Sequence, residues 1–340
     1  MATFADVFAG TGVVARHFKR KGFRVVANDL MTYSYVLLRA EVAQSQYPRF
    51  KGPAALLPVA ERLEQLGLFG EPEERAALRR VIAYLDSLPG VPGFCHDEYA
   101  PEGSAGRRYF TGANAARIDA VREQIEEWWR AGLLTEDERV LLVAAVVEAV
   151  PFVANVTGTF GAFLKTWDPR AHKPLRLREP EIVPSDLDHE AHQTDANALV
   201  KRLECDVLYL DPPYNVRQYA TNYHVLETIA AWDRPRLRGK TGLRPADERR
   251  SAYCEASSAG DALADLAAAA RCRLLLLSYN SDGLLPERTI LQILGSRGTV
   301  AVRRRPYRRF RSDADGPKRR YREGDIVSEN LYVVPVDNCP

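Results

Sequence analysis

Two stretches of this 340-residue chain carry residue types at spacings that could do chemistry. Gly10-Thr11-Gly12-Val13-Val14-Ala15 has the G-x-G-x-x-G/A spacing. In such a turn the missing Cβ atoms let a ligand approach the backbone, and the helix that follows presents unpaired N–H groups. The turn alone suits a plain strand-to-helix connection as well as a cofactor site. With Asp29 near the offset of about 20 residues used by ribose-binding acids, a nicotinamide dinucleotide is the first ligand to weigh. The second stretch, Asp211-Pro212-Pro213-Tyr214, is more specific. Asp211 and Pro212 each precede a proline, which disfavours the α region for both and holds the tetrapeptide extended. A rigid carboxylate, a fixed carbonyl and a projecting aromatic ring result.

The elements that must position these groups can be read from periodicity. An apolar run at 4–8, the glycine turn and helical spacing from Val13 onward predict strand, tight turn and helix. A second run at 23–27 predicts a parallel strand whose tip carries Asn28 and Asp29. Residues 54–68, 73–88, 113–131 and 135–150 show i, i+3, i+4 apolar spacing between polar faces, with a Pro/Gly-rich loop expected over 89–106. An all-helical block inside an α/β pattern reads as an insertion. Strands are expected again at 207–210 and 274–278, with a helix at 223–232, an Arg-rich loop over 233–250 and another loop over 165–184. Two β runs at 299–304 and 330–335 suit a hairpin-like sheet edge. Asp211 follows the strand at 207–210, and so stands at the carboxyl edge of the sheet, where α/β ligand sites lie.

Composition removes other classes. With 46% hydrophobic and 27% charged residues the chain reads as a soluble globular protein, not a disordered one. The apolar stretch at 140–150 carries a charge and breaks well before the roughly 20 residues of a bilayer crossing, and no secretory signal opens the chain, so a cytoplasmic location is expected. Cys95, Cys205, Cys254, Cys272 and Cys339 are odd in number and without a C-x-x-C pair, which points to neither a disulfide framework nor a zinc cluster. The net charge of +2 hides a local excess of +6 over 301–325, ten basic against four acidic residues. Interleaved with Tyr307, Phe310 and Tyr321, that segment suits a nucleic-acid surface.

Together, Phe8-Ala9-Gly10-Thr11-Gly12 and Asp211-Pro212-Pro213-Tyr214 resemble the F-x-G-x-G and D-P-P-Y pair of S-adenosylmethionine-dependent adenine-specific DNA methyltransferases, in the restriction-modification branch of the Dam-like group. The likeness extends over 28–30, 158–167, 215–230, 278–283 and 307–312. It implies an α/β fold, a Rossmann-like methyltransferase sheet with helices on both faces and an inserted helical domain. The expected division is a discontinuous catalytic domain, 1–46 and 151–340, around a helical insert, 47–150, that serves target recognition. The separation of 199 residues between Gly12 and Asp211 (211 minus 12) favours DNA over ribosomal RNA as substrate, because the RNA enzymes with similar motifs resemble compact chains.

The resemblance also implies roles. Asp211's carboxylate and Pro212's carbonyl accept the two N–H groups of the adenine amine, Pro213 keeps the tetrapeptide stiff and Tyr214 stacks on a base flipped out of double-stranded DNA. Phe8, Ala9, Gly10, Thr11 and Gly12 hold the methionine part of S-adenosylmethionine, Asp29 its ribose and Asp195 its adenine. Lys165, Arg217, Arg308 and Arg309 are the expected DNA contacts. No metal is required. A cognate restriction endonuclease is the expected partner, no membrane is involved and a monomer is expected. One departure stands out: a Phe, a Lys and a Trp normally precede the glycine turn, whereas here Phe163-Leu164-Lys165-Thr166-Trp167 follows the helical block, leaving cofactor, DNA and core contacts all open for it. An RNA amino-group methyltransferase and a non-catalytic DNA-binding protein are the alternatives.

Overall fold

The computed structural model describes residues 2–57, 73–245, 249–308 and 326–336. Its strands are β1 (Thr3–Asp6), β2 (Arg24–Asn28), β3 (Glu190–His192), β4 (Glu204–Leu210), β5 (Arg271–Asn280), β6 (Ala301–Arg308) and β7 (Ile326–Pro335). They form one sheet in the order β3-β2-β1-β4-β5-β7-β6. Pairings β1 with β2, β1 with β4 and β4 with β5 are parallel, and β7 runs antiparallel to both β5 and β6. The terminal β runs therefore make the expected hairpin-like edge, with β7 as its inner strand.

Side chains alternate between two covered faces, which is why β1 and β4 read as apolar runs rather than as polar-apolar alternation. Ala5, Leu208, Leu210, Leu275, Leu277 and Val334 form one core with the helices Ala196–Val200, Ala259–Ala269 and Glu287–Gly295. On the other face Phe4 stacks on Phe18 of the helix Val13–Arg20, ring centroids 3.7 Å apart. Helices thus lie on both faces, as the α/β reading requires. Neither β3 nor those three helices was read from the sequence: β3 and Ala196–Val200 are too short to show a period and Ala259–Ala269 is alanine-rich, but Glu287–Gly295 carries a buried face through Ile290 and Leu294 that sequence reasoning missed.

The chain divides into two units: Met1–Leu30, His192–Tyr219 and Arg249–Pro340, and separately Met31–Ala191 with Ala220–Glu248. The second unit is wider than 47–150. Its extra segments are bound in by buried polar contacts far apart in sequence. Glu227, 1% exposed, accepts the backbone N–H groups of Thr32 (3.0 Å) and Tyr33 (3.1 Å), capping the helix Thr32–Leu38. Fully buried Arg122 donates to the carbonyl of Ile229 (2.9 Å) and lies over the Trp232 ring.

The expected helices appear here as Glu73–Ser87, Gly112–Arg130, Glu136–Ala149 and His224–Ala231. Of 54–68, residues 58–68 lie outside the described residues. Glu136–Ala149 starts at a capping box between Thr135 and Glu138, and its residues 140–147 are all buried. It is apolar all round because it runs through the centre of the unit's core, so it lacks the polar face expected of it. Loop 89–106 contains the helix Phe94–Tyr99, whose first turn is held by Asp119 accepting N–H bonds from Gly93, Cys95 and His96 at 2.7–2.9 Å.

Candidate active site

The sheet order reverses between β1 and β4: from β1 the chain moves outward to β2 and β3, then returns to β4 on β1's other side. Parallel register pairs Phe4 with Val207, Ala5 with Leu208 and Asp6 with Tyr209. The residues after β1 and those after β4 consequently leave the sheet side by side at one carboxyl edge. Those residues are Phe8–Gly12 and Asp211–Tyr214. Crevices of this kind are where doubly wound sheets bind ligands.

The glycine turn is built by backbone conformation. Gly10 and Gly12 have φ of +53° and +76°, values that side-chain-bearing residues adopt at a cost. Gly12 N–H donates to Ala9 carbonyl (2.8 Å), and Gly10 N–H donates to Asp29 Oδ2 (2.9 Å), tying the turn to the tip of β2. Asn28, 1% exposed, completes the tie: its amide donates to the carbonyls of Val7 (3.0 Å) and Thr194 (3.1 Å) and accepts from Thr194 N–H (3.1 Å). The Phe8 ring rests edge-on against Tyr253, 5.0 Å between centroids. Thr11 is exposed and Ala9 is buried.

After β4, Pro212 is buried while Asp211 meets solvent. Tyr214 packs edge-on against buried Tyr279 (6.2 Å), and its carbonyl accepts Leu284 N–H (2.9 Å). That approach requires glycine at 283, since a Cβ there would stand 2.2 Å from the Tyr279 ring. Although Asp211 is solvent-accessible, protein surrounds most of its carboxyl. Burial and the nearby Glu329 carboxylate push its pKa up to about 6, against the opposing hydrogen bonds of Ser278 and Tyr209. Asp6, 1% exposed at the end of β1, is held well above the ordinary carboxylate range by burial and then by Asp211. Its Oδ1 has no hydrogen-bond partner among the described residues.

Phe8 to Gly12, Asp29, Asp195 and Asp211 to Tyr214 therefore share one unit. Asp195 is the N-cap of the helix Ala196–Val200, accepting Ala198 N–H at 3.0 Å. Arg217 is exposed on the loop after the D-P-P-Y segment. Lys165 belongs to the other unit. There buried Asn155 clamps its loop by donating to the carbonyls of Arg108 (3.0 Å) and Leu164 (3.1 Å) and accepting Asp168 N–H (2.9 Å), which leaves Lys165 exposed. Arg308 ends β6, but its side chain lies outside the described residues, as do Arg309, Phe310 and Tyr321 and the side chain of Tyr307. Sequence reasoning missed Asp6, Tyr209, Ser278 and Glu329. The first three could have been found from alternation, since they point to the same face as Asp211. Glu329 needed the pairing of β7 with β5.

The chain belongs to the D12 class N6 adenine-specific DNA methyltransferase family, whose match covers residues 1–289. It is similar to the type II methyltransferase M.FokI of Planomicrobium okeanokoites, 39% identical over 315 residues, 91% of this chain and 45% of that protein. It is also 36% identical to the type II methyltransferase M.NlaIII of Neisseria lactamica over 332 residues, 97% of this chain and 90% of the relative. Modification methylase StsI of Streptococcus sanguinis is 35% identical over 315 residues, again 91% of this chain and 45% of that protein. The chain thus spans less than half the length of two of these relatives. No solved structure matches it. Among the described residues no helix is long and apolar enough to cross a membrane, and no group of three His, Cys, Asp or Glu could hold a metal.

Proposed function

We propose that this chain transfers a methyl group from S-adenosylmethionine to the N6 amine of an adenine flipped out of double-stranded DNA, as the modification partner of a restriction endonuclease. The observation that carries the reading is the register of β1 against β4, which delivers the glycine turn and the D-P-P-Y tetrapeptide to one edge at the switch point.

The residues present suit the donor. The positive-φ turn leaves the space beside Gly10 open, with nothing within 4 Å of where a Cβ would stand, and at the end of β1 buried Asp6 has an oxygen with no hydrogen-bond partner among the described residues. Phe8 to Gly12 would hold the methionine part, Asp29 the ribose hydroxyls and Asp195 the adenine of the donor. Bound there, S-adenosylmethionine supplies an electrophilic sulfonium methyl. The adenine amine is conjugated to its ring and a weak nucleophile, so the protein must gather the positive charge that develops on nitrogen. Asp211's carboxylate and Pro212's carbonyl accept its two N–H groups, and Tyr214, braced by Tyr279, stacks on the base. Holding amine and methyl in line supplies an effective molarity that can reach roughly 10⁵ M.

Lys165, Arg217, Arg308 and Arg309 contact phosphates, and the helical unit contributes to target recognition. The protein works as a cytoplasmic monomer beside its endonuclease. Incubation with methyl-labelled S-adenosylmethionine and separate DNA and RNA pools tests the reading. Label recovered as N6-methyladenine in DNA is expected; label in RNA alone, or turnover retained in Asp211→Ala, overturns it.

A further inference from the structure

Resting on the methyl-transfer reading, a further residue of the site follows from the antiparallel edge of the sheet. The β4–β5 register pairs Leu210 with Leu277, so Asp211 continues alongside Ser278. The β5–β7 register then pairs Ser278 with Leu331 and Asn280 with Glu329. Tyr209, Asp211, Ser278, Asn280 and Glu329 therefore share one sheet face at one end.

Asn280 is 4% exposed and its amide is fixed in orientation. Its Oδ1 accepts Asp282 N–H (2.8 Å), which leaves Nδ2 to donate to Glu329 Oε1 (3.0 Å). Half-buried Glu329 is thus held by a neutral donor, near enough for its charge to act on both Asp211 and Tyr209. The groups facing Asp211 are Asp6 from β1, Tyr209 from β4, Ser278 from β5 and Glu329 from β7, with Asp29 acting on Asp6 from the tip of β2. Arg305 stands opposite Glu329 on β6 and is exposed, where solvent screens it. Packing alone does not account for a further carboxylate near Asp211, because like charges in a partly buried site repel.

We propose that Glu329 is a positioning residue for methyl transfer: its tethered carboxylate strengthens Asp211 as the acceptor of the proton that the adenine amine must lose. The nitrogen lone pair forms the new N–C bond as the carbon–sulfur bond breaks. The bonding pair goes to sulfur, which becomes a neutral thioether. The methylated nitrogen, now cationic, gives one N–H proton to the Asp211 carboxylate, which passes it to water. A carboxylate facing a second fixed carboxylate has its pKa brought nearer the operating pH than an isolated one, which suits it to accept that proton.

The test reads Asp211 directly. In full-length protein carrying ¹³C-carboxyl aspartate, assigned by loss of the signal in Asp211→Asn, the carboxyl of Asp211 should titrate near pH 6. In Glu329→Gln its midpoint should fall toward the ordinary carboxylate range, and the acid limb of single-turnover methyl transfer should move down with it. Glu329→Asp, which keeps the charge, should hold both near the wild-type values. If Glu329→Gln loses its cooperative melting, Asn280→Ala, which frees the carboxylate to swing into solvent, should show the same fall. An unchanged Asp211 midpoint in a folded variant overturns the proposal. Wild-type protein that transfers no methyl group, with the carboxyl titration moving as stated, overturns the methyl-transfer reading while leaving the coupling of Glu329 to Asp211 intact.

Discussion

Both units bury carboxylates, but they use them in opposite ways. In the helical unit Asp119 accepts three backbone N–H bonds, Glu227 two, and Glu138 accepts those of Thr135 and Phe50. Each fastens a helix end to a segment distant in sequence. At the sheet edge Asp6 keeps an oxygen without a hydrogen-bond partner among the described residues, and Asp211 faces Glu329 across the sheet. Carboxylates supplied with donors hold a fold together. Those set near one another, as Asp211 and Glu329 are, repel even while they accept a few hydrogen bonds, which costs stability and leaves a capacity to bind something else.

The contrast can be broken most sharply at Asp211. Asp211→Ala should lower methyl transfer by about 10³-fold or more, the scale of removing a preorganised charge-stabilising group, with little change in melting temperature. Assay of label incorporation beside a thermal melt checks both halves. Asp119→Ala should do the reverse, destabilising the helical unit by ~2–4 kcal/mol in chemical denaturation because three buried N–H groups lose their acceptor. Next comes pH. On the proposed role transfer needs Asp211 ionised, and burial with Glu329 raises its pKa to about 6, so the single-turnover rate should fall about tenfold per unit as pH drops below that value. A rate flat down to pH 5 would contradict it.

The smallest effect concerns Asp6. Its folded-state pKa is raised, so its contribution to stability is fullest below the unfolded carboxyl's value and is lost as pH rises through the folded one. Asp6→Asn should therefore raise the melting temperature at neutral pH by about 2–4 °C, with the gain shrinking toward pH 4. A gain independent of pH would place Asp6 with the structural carboxylates.

The backbone devices of the candidate site can be read from the sequence alone. Gly10, Gly12 and the two prolines after Asp211 are local devices: each acts on its own backbone dihedrals, so its meaning survives without knowledge of neighbours. The parallel strands and the long helices were legible for the same reason, since a buried face repeats along a single element. Asp195 shows where such reading thins, because an Asp ahead of a short helix is also an ordinary N-cap, and that is the contact it makes. The helix Phe94–Tyr99 was not legible, for its start is held by Asp119 from another helix.

What the sequence determined by itself is therefore the chemistry on offer: a glycine turn after one strand, a stiff acid-and-aromatic tetrapeptide after another, and the family to which both point. Only the tertiary structure decided which strands stand side by side. It set β1 against β4 and laid β7 antiparallel between β5 and β6, which brings Glu329 to the face of Asp211 across more than a hundred residues of chain. Pairing between strands depends on long-range register, and register is a property of the assembled sheet rather than of any one segment.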